Sequence, residues 1–366
     1  MAGYDMQSWY NRQDSYQPLM DLIRRWTDCV LMTSVPPCPL GNAADAVRAV
    51  EAQTAWSQHH AAVKQTRQGK SVYTEAAYHT PKGRLRGIYR ADDDVFTVWT
   101  CEHLLKSVED IDKYVSFGWQ AGRELDLTEL AGRQAELGEN GIVMVSVSDP
   151  VCEAAELFGM ELFLELCLRC TQRIRYLVDF IHERQIAHLG QVLKAGAAAG
   201  VNWGECLFRI CGPEYVTEPY LAPGYFSLLV TPYLKRMSQI IHESGAMVRV
   251  HCHGRIKAVL QEIVKADPDA LDPVEPPPDG DIELGEVKKR IGRSVCLFGN
   301  IEARLLEQGE PQQVRQAVIV AMAAAKALGG YVCMPTAAPV GRLLLQKTLQ
   351  NYMVFIETAL EHGGYY

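Results

Sequence analysis

No stretch of the 366-residue chain approaches the roughly 20 consecutive apolar residues that a membrane helix needs. Lysine and arginine form no block and no stripe interleaved with aromatics. With a formal net charge of −8, the chain lacks the electrostatic footprint of a nucleic-acid binder. Met1-Ala2-Gly3-Tyr4-Asp5 begins no charged-then-apolar leader, so a cytoplasmic location is expected. No repeat of fixed period and no low-complexity segment is visible, which excludes solenoids and propellers. No Gly-x-Gly-x-x-Gly follows an early strand, which demotes a doubly wound dinucleotide fold to runner-up. The single C-x-x-C, Cys167 to Cys170, has no second copy and lies in a helical pattern, so it reads as buried thiols rather than a zinc or redox motif. Eleven cysteines scattered through so long a chain suit a reducing compartment rather than a disulfide framework.

What the chain does have is ample core material, 48% hydrophobic residues, and a rhythm of strands and helices. A helix is expected from Tyr16 to Arg25 and a short buried strand over 29–35, then a long alanine-rich helical region from Ala43 to Gln68 and a strand over Ser71 to Ala77. Residues from about 79 to 100, two β-prone segments around the acidic turn Ala91-Asp92-Asp93-Asp94, are expected to project as a hairpin insertion. The run Ile142 to Ser148 is nearly all apolar, as in a strand buried on both faces. Helices follow to Ala195, then strands at 201–205, 247–252, 269–274, 294–299 and 330–334, alternating with helices at 226–244, 256–266, 282–291, 311–328 and 341–361. About eight strands joined by long crossovers predict a single α/β domain, a (β/α)₈ TIM barrel with an N-terminal arm and helix over 1–28.

In such a barrel chemistry sits at the C-terminal ends of the strands. Ala246-Met247-Val248-Arg249-Val250-His251-Cys252-His253-Gly254 is a β-run closing on two histidines, and alternation points His251 and His253 the same way. Later strand ends deliver Asp272 and Glu275, Asn300 and Glu302, and Cys333. Two imidazoles, a carboxylate and a thiolate suit Zn²⁺, so His251, His253, Glu275 and Cys333 are the expected metal ligands, with Glu205 at the end of strand 201–205 as the alternative carboxylate. For Glu275 a solvated loop residue and for Cys333 a buried core thiol are the competing readings. Asn300 is expected near substrate, and Trp203, Tyr215, Tyr220 and Tyr225 either line its pocket or anchor loops.

The same segments carry a family likeness. His251-Cys252-His253-Gly254, Asp272-Pro273-Val274-Glu275, Val295 to Ile301 and Gly329-Gly330-Tyr331-Val332-Cys333, with Thr80 to Leu85 and Glu102 to Asp110, resemble the uroporphyrinogen decarboxylase superfamily. More narrowly they resemble its corrinoid-dependent branch, which includes methylcobamide:coenzyme M methyltransferases. The resemblance implies a barrel holding zinc through a His-x-Cys pair and a later Cys, related enzymes adding a Glu. His251 matches the His and Glu275 the Glu, His253 replaces the first Cys, and the closest register puts the late Cys near Ala337 rather than at Cys333. Neutral imidazole in place of thiolate makes a stronger Lewis acid, which favours demethylation of a small methoxy or methylamine substrate over thiol methylation.

The implied function is therefore methyl transfer to a corrinoid (cobamide) carried by a separate partner protein, since the chain has no Asp-x-His-x-x-Gly cobalamin signature. A homodimer is expected by analogy with such barrels. The stretch Thr33 to Gly41 contains no arginine, so the clamp a tetracarboxylate would need is missing there. A lyase acting on a smaller substrate and a non-catalytic ligand-binding barrel are the alternatives.

Overall fold

A computed structural model of the chain describes residues 3–6, 8–34, 61–93, 98–118, 125–339 and 341–364. They form two compact units, one made of Met1–Thr33, Leu127–Val147 and Gly196–Tyr366, the other of Ser34–Asp126 and Ser148–Ala195.

The first unit is built on a seven-stranded sheet. Its strands are β1 (Cys29–Ser34), β6 (Gly141–Ser148), β7 (Cys206–Cys211), β8 (Met247–His251), β9 (Ala270–Asp272), β10 (Cys296–Ile301) and β11 (Tyr331–Pro335), side by side in chain order. Pairing is parallel from β7 through β11. Between successive strands the chain passes through helices such as Thr231–Glu243, whose buried Tyr233, Leu234, Met237 and Ile241 repeat at helical spacing and form its packing face. Each such fully buried aliphatic side chain contributes roughly 1.5–3 kcal/mol. Start signals are chemical: Glu310 and Gln313 form a reciprocal capping box ahead of Pro311–Ala325, with Pro311 in the first turn, where no N–H is needed. This is a curled parallel sheet with covering helices, the TIM-barrel-like α/β architecture expected.

Two early expectations need correction. Strand β3 (Ser71–Thr80), predicted as a barrel strand, belongs instead to a four-stranded antiparallel sheet with β2 (Ala61–Gln68), β4 (Gly83–Asp92) and β5 (Val98–Glu102). The expected hairpin is thus part of a larger sheet, and the barrel strands described number seven. Residues 61–68, expected to end a helix, are extended because Gly69-Lys70 forms a tight turn that folds β2 onto β3, Gln68 opposite Ser71, with Gly69 at φ +59°. The 43–60 part of that helical region and the arginine-free stretch beyond Ser34 lie outside the described residues.

The N-terminal segment docks on its own chain. Tyr10 Oη donates to the Pro339 carbonyl at 2.9 Å, Tyr16 Oη to that of Gly341 at 2.6 Å, and the Leu344 N–H to Ser15 Oγ at 3.1 Å. The second unit adds the helices Pro150–Phe158, Met160–Arg169 and Thr171–Ala199. Of the C-x-x-C expected as buried helix-face thiols, Cys167 is fully buried, its thiol pushed up to about 12 by desolvation, whereas Cys170 caps the helix end and is partly exposed. No helix among the described residues is long and apolar enough to cross a membrane.

Candidate active site

Strand β8 reads Met247-Val248-Arg249-Val250-His251, so an arginine and a histidine alternate with buried valines. Alternation puts Arg249 and His251 on one face, and both are buried, at 4% and 8% exposure. The parallel register sets Arg209 of β7 beside Arg249, Cys211 beside His251, and His251 beside Asp272 of β9. Four groups able to carry charge therefore meet toward the sheet's C-terminal end through period-two patterning and the parallel register together.

Asp272, 1% exposed, is the hub. Its Oδ2 lies 2.7 Å from His251 Nδ1, and its Oδ1 lies 2.9 Å from Arg249 Nε. Burial pushes the Asp272 carboxyl up, but the His251 hydrogen bond and the His251, Arg249 and Arg209 charges outweigh it and hold the group below the usual carboxylate range. A carboxylate only accepts, so His251 carries its hydrogen on Nδ1 and presents a lone pair on Nε2. Desolvation lowers the His251 pKa in spite of Asp272, which keeps the ring neutral near pH 7.

Two residues on, His253 repeats the device with the opposite outcome. Its Nδ1 lies 2.8 Å from Glu275 Oε1, while Glu275 Oε2 accepts the Gly254 N–H at 2.6 Å. The hydrogen bond to Glu275 raises the His253 pKa against the pull of burial. The two imidazoles sit edge to face, ring centroids 4.5 Å apart. Glu214, in the short turn Pro213–Val216 after β7, completes the cluster: its Oε2 is buried without a hydrogen-bond partner, and desolvation pushes its carboxyl up against the pull of His253 and Arg209. The Arg249 guanidinium stacks 5.0 Å over Phe298 of β10 and lies 4.0 Å from Met334 Sδ of β11. Gly299, at φ +141°, lets β10 pass close to the segment after β9, since a Cβ there would meet the Pro273 carbonyl oxygen at 2.0 Å.

Of the residues expected at the site, the structure brings together His251, His253 and Glu275, but it gives Glu275 another role. Each of its oxygens accepts a hydrogen bond, from His253 and from the Gly254 N–H, so it orients a ring. Cys333 lies opposite Gly299 in the register, and alternation turns it away from the face on which its neighbour Met334 meets Arg249. Its thiol is driven up to about 11 by burial, the hydrogen bond with Tyr331 pulling the other way. Asn300 pairs with Met334 across β10 and β11, near the same strand ends.

Glu205 and Trp203 are placed elsewhere. They form the turn Trp203–Glu205 that opens β7, not the end of a strand, because the Asn202 side chain accepts the Gly204 N–H at 3.2 Å and bends the chain there. Trp203 is 5% exposed and packs on Phe208, ring centroids 5.5 Å apart. Tyr215 adjoins Glu214 in its turn, Tyr220 is half exposed in the following loop, and Tyr225 is partly buried in the helix Pro223–Leu229.

Zinc is the group that the resemblance implies here. Each ring has its Nδ1 fixed by a carboxylate and its Nε2 left over, an arrangement that metal-bound histidines share. Yet the expected set falls short: Glu275 is committed, and Cys333 is protonated and turned away. Among the described residues, no group of three or more His, Cys, Asp or Glu side chains is arranged to hold a metal ion. The residues as placed do not fit a four-coordinate zinc site, and no step is derived through one.

Sequence reasoning missed Arg209 and the roles of Arg249, Asp272 and Glu214. The signal was a charged residue flanked by strand hydrophobes, Phe208-Arg209-Ile210 and Val248-Arg249-Val250. Such a charge inside a buried strand requires a partner or a function.

No curated protein sequence matches the chain. Among solved structures it is similar to a methyltransferase from Methanosarcina mazei at a TM-score of 0.56 and 14% identity, the match covering 75% of this chain and 74% of that one. That likeness is one of fold. The family model described as uroporphyrinogen decarboxylase (URO-D) matches residues 102–362, well over half the chain and the stretch that contains every residue of the cluster. A parallel half-barrel with its polar cluster at the strand ends, matched over that span, belongs to the uroporphyrinogen decarboxylase family.

Proposed function

We propose that this chain is a methyltransferase that takes a methyl group from a small methylated substrate, of the methoxy or methylamine type, and passes it to a corrinoid on a partner protein. The observation that carries the reading is the pair of adjacent histidine rings, each held at Nδ1 by its own carboxylate, with burial lowering the pKa of His251 and the Glu275 hydrogen bond raising that of His253. Such a split assigns an acceptor and a donor to adjacent rings. The likeness to the Methanosarcina mazei methyltransferase supports the same class.

Removing a methyl group from oxygen or nitrogen leaves an electron pair on the heteroatom, and a proton must meet it. His253, favoured in its protonated form by Glu275, holds that proton on Nε2, and His251 offers a neutral acceptor beside it. Asp272 and Glu275 fix both rings, so little orientation is lost when substrate binds. When bound, the corrinoid supplies the nucleophile that accepts the methyl group. Balance is simple: the carbon–heteroatom bond breaks, the methyl group leaves, and the His253 proton goes to the heteroatom.

The test uses chemically reduced cobalamin as a surrogate acceptor, with methoxylated and methylamine donors, and follows methylcobalamin by absorbance. Wild-type protein is expected to transfer methyl groups, and His253→Gln to do so about 10²- to 10⁴-fold more slowly with its fold intact. Equal rates in the two proteins would overturn the assignment of His253, and no transfer with any donor, acceptor protein included, would overturn the function.

A further inference from the structure

Within the cluster most charges are matched. Arg249 faces Asp272 at 2.9 Å, and His253 faces Glu275 at 2.8 Å. Arg209 is the exception. It is partly buried on β7, in register with Arg249, and its charge reaches Arg249, His251, Asp272 and Glu214. Among the described residues, however, its guanidinium makes no hydrogen bond and no ion pair. Glu214 does not neutralise it at contact distance, and the buried Glu214 Oε2 has no hydrogen-bond partner.

A guanidinium carries five donors in a rigid fork that matches a carboxylate. Partly withdrawn from water and without an anion, the Arg209 guanidinium gains charge-assisted hydrogen bonds when one binds. Arg249 cannot serve instead, since Phe298, Met334 and Asp272 hold it. Arg249 pairs with Asp272 and His253 with Glu275, so Arg209 is the one guanidinium of the cluster left to meet an anion, and a single fork suits one carboxylate.

We infer that Arg209 receives the carboxylate of an anionic methyl donor, placing its methylated end toward His251 and His253. This rests on the methyl-transfer reading and narrows it to methylated monocarboxylates, and it makes Arg209 the residue that sets specificity. A single fork is also a smaller demand than the multiple arginines a tetracarboxylate would need.

The test is calorimetric binding of 4-methoxybenzoate and of its neutral counterpart 4-methoxybenzamide to the whole chain. Wild type is expected to prefer the carboxylate by about 10- to 100-fold. Arg209→Met is expected to abolish that preference, and Arg209→Lys, which keeps the charge without the fork, to restore part of it. Equal binding of the two compounds to wild type, absence of saturable benzoate binding at millimolar concentration, or a preference that survives in folded Arg209→Met would each overturn the inference. The wild-type comparison needs no variant, so a misfolded one does not stall the test. Methyl transfer from the amide without carboxylate preference would sink this inference alone. Carboxylate preference without methyl transfer from any donor would sink the function and spare the anion site.

Discussion

Two buried ionic clusters in this molecule look alike at first and differ in one respect. In the second unit Glu153 contacts Arg184, and the side chains are 5% and 1% exposed. Tyr114 accepts from Arg184 at 2.8 Å and donates to Glu153 at 3.2 Å, and Gln185 donates to Glu153 at 3.1 Å. Each charge there meets its opposite, and both side chains are buried. At the strand ends of the first unit, Asp272 and Glu275 are equally well partnered, but two imidazole Nε2 atoms, a Glu214 oxygen and the Arg209 fork are left over. The closed cluster joins elements, whereas the open one keeps hydrogen-bonding atoms without a partner among the described residues.

That contrast predicts a division of effects. Glu153→Ala strands a buried guanidinium and is expected to cost about 3 to 5 kcal/mol, measured by urea denaturation. A loss under about 1 kcal/mol would break the comparison.

A smaller effect, and one with a sign, comes from pH. His253 has its pKa raised in the folded chain, so its pairing with Glu275 adds stability in full below the unfolded value near ~6.5 and loses it as pH rises through the folded value. The urea midpoint of wild type relative to His253→Gln should therefore be greatest in mildly acidic solution and shrink as the medium turns alkaline. Asp272 acts in the opposite sense. Its lowered pKa contributes stability above the ordinary value near ~3.9, and this is lost as pH falls through the folded one. NMR titration of the two imidazoles should place His253 above and His251 below the usual histidine value.

The smallest expected effect is a null. Elemental analysis of chain purified without chelator should find zinc well below one per chain, and EDTA should leave activity unchanged. One zinc per chain, lost in His251→Ala/His253→Ala, would overturn the metal-free reading and show that the open cluster closes on an ion.

The late strands were legible because each is a short apolar run between punctuating residues, as with Gly141–Ser148 before Asp149-Pro150. The histidine pair was legible for the same reason, since alternation needs no knowledge of the partner strand. What pairs with what was not. Residues 61–68 look helical in composition, and only their register against β3 makes them a strand. Placing this strand at 201–205, just ahead of the observed Cys206–Cys211, hid Arg209, since a strand thought to end at Glu205 leaves Arg209 in a connection. Glu275 was expected as a ligand because sequence shows which carboxylate is near but not that it holds the His253 ring and the Gly254 N–H.

The tyrosine bonds to Pro339 and Gly341 have a consequence for synthesis. They span 329 and 325 residues, so the first helix leaves the ribosome long before its partners exist. The early chain must wait with Leu19, Met20 and Ile23 uncovered, residues that end fully buried. Chaperone dependence should accordingly fall on the segment that carries Tyr10 to Ile23, and a ribosome stalled short of residue 339 should display it as protease-sensitive.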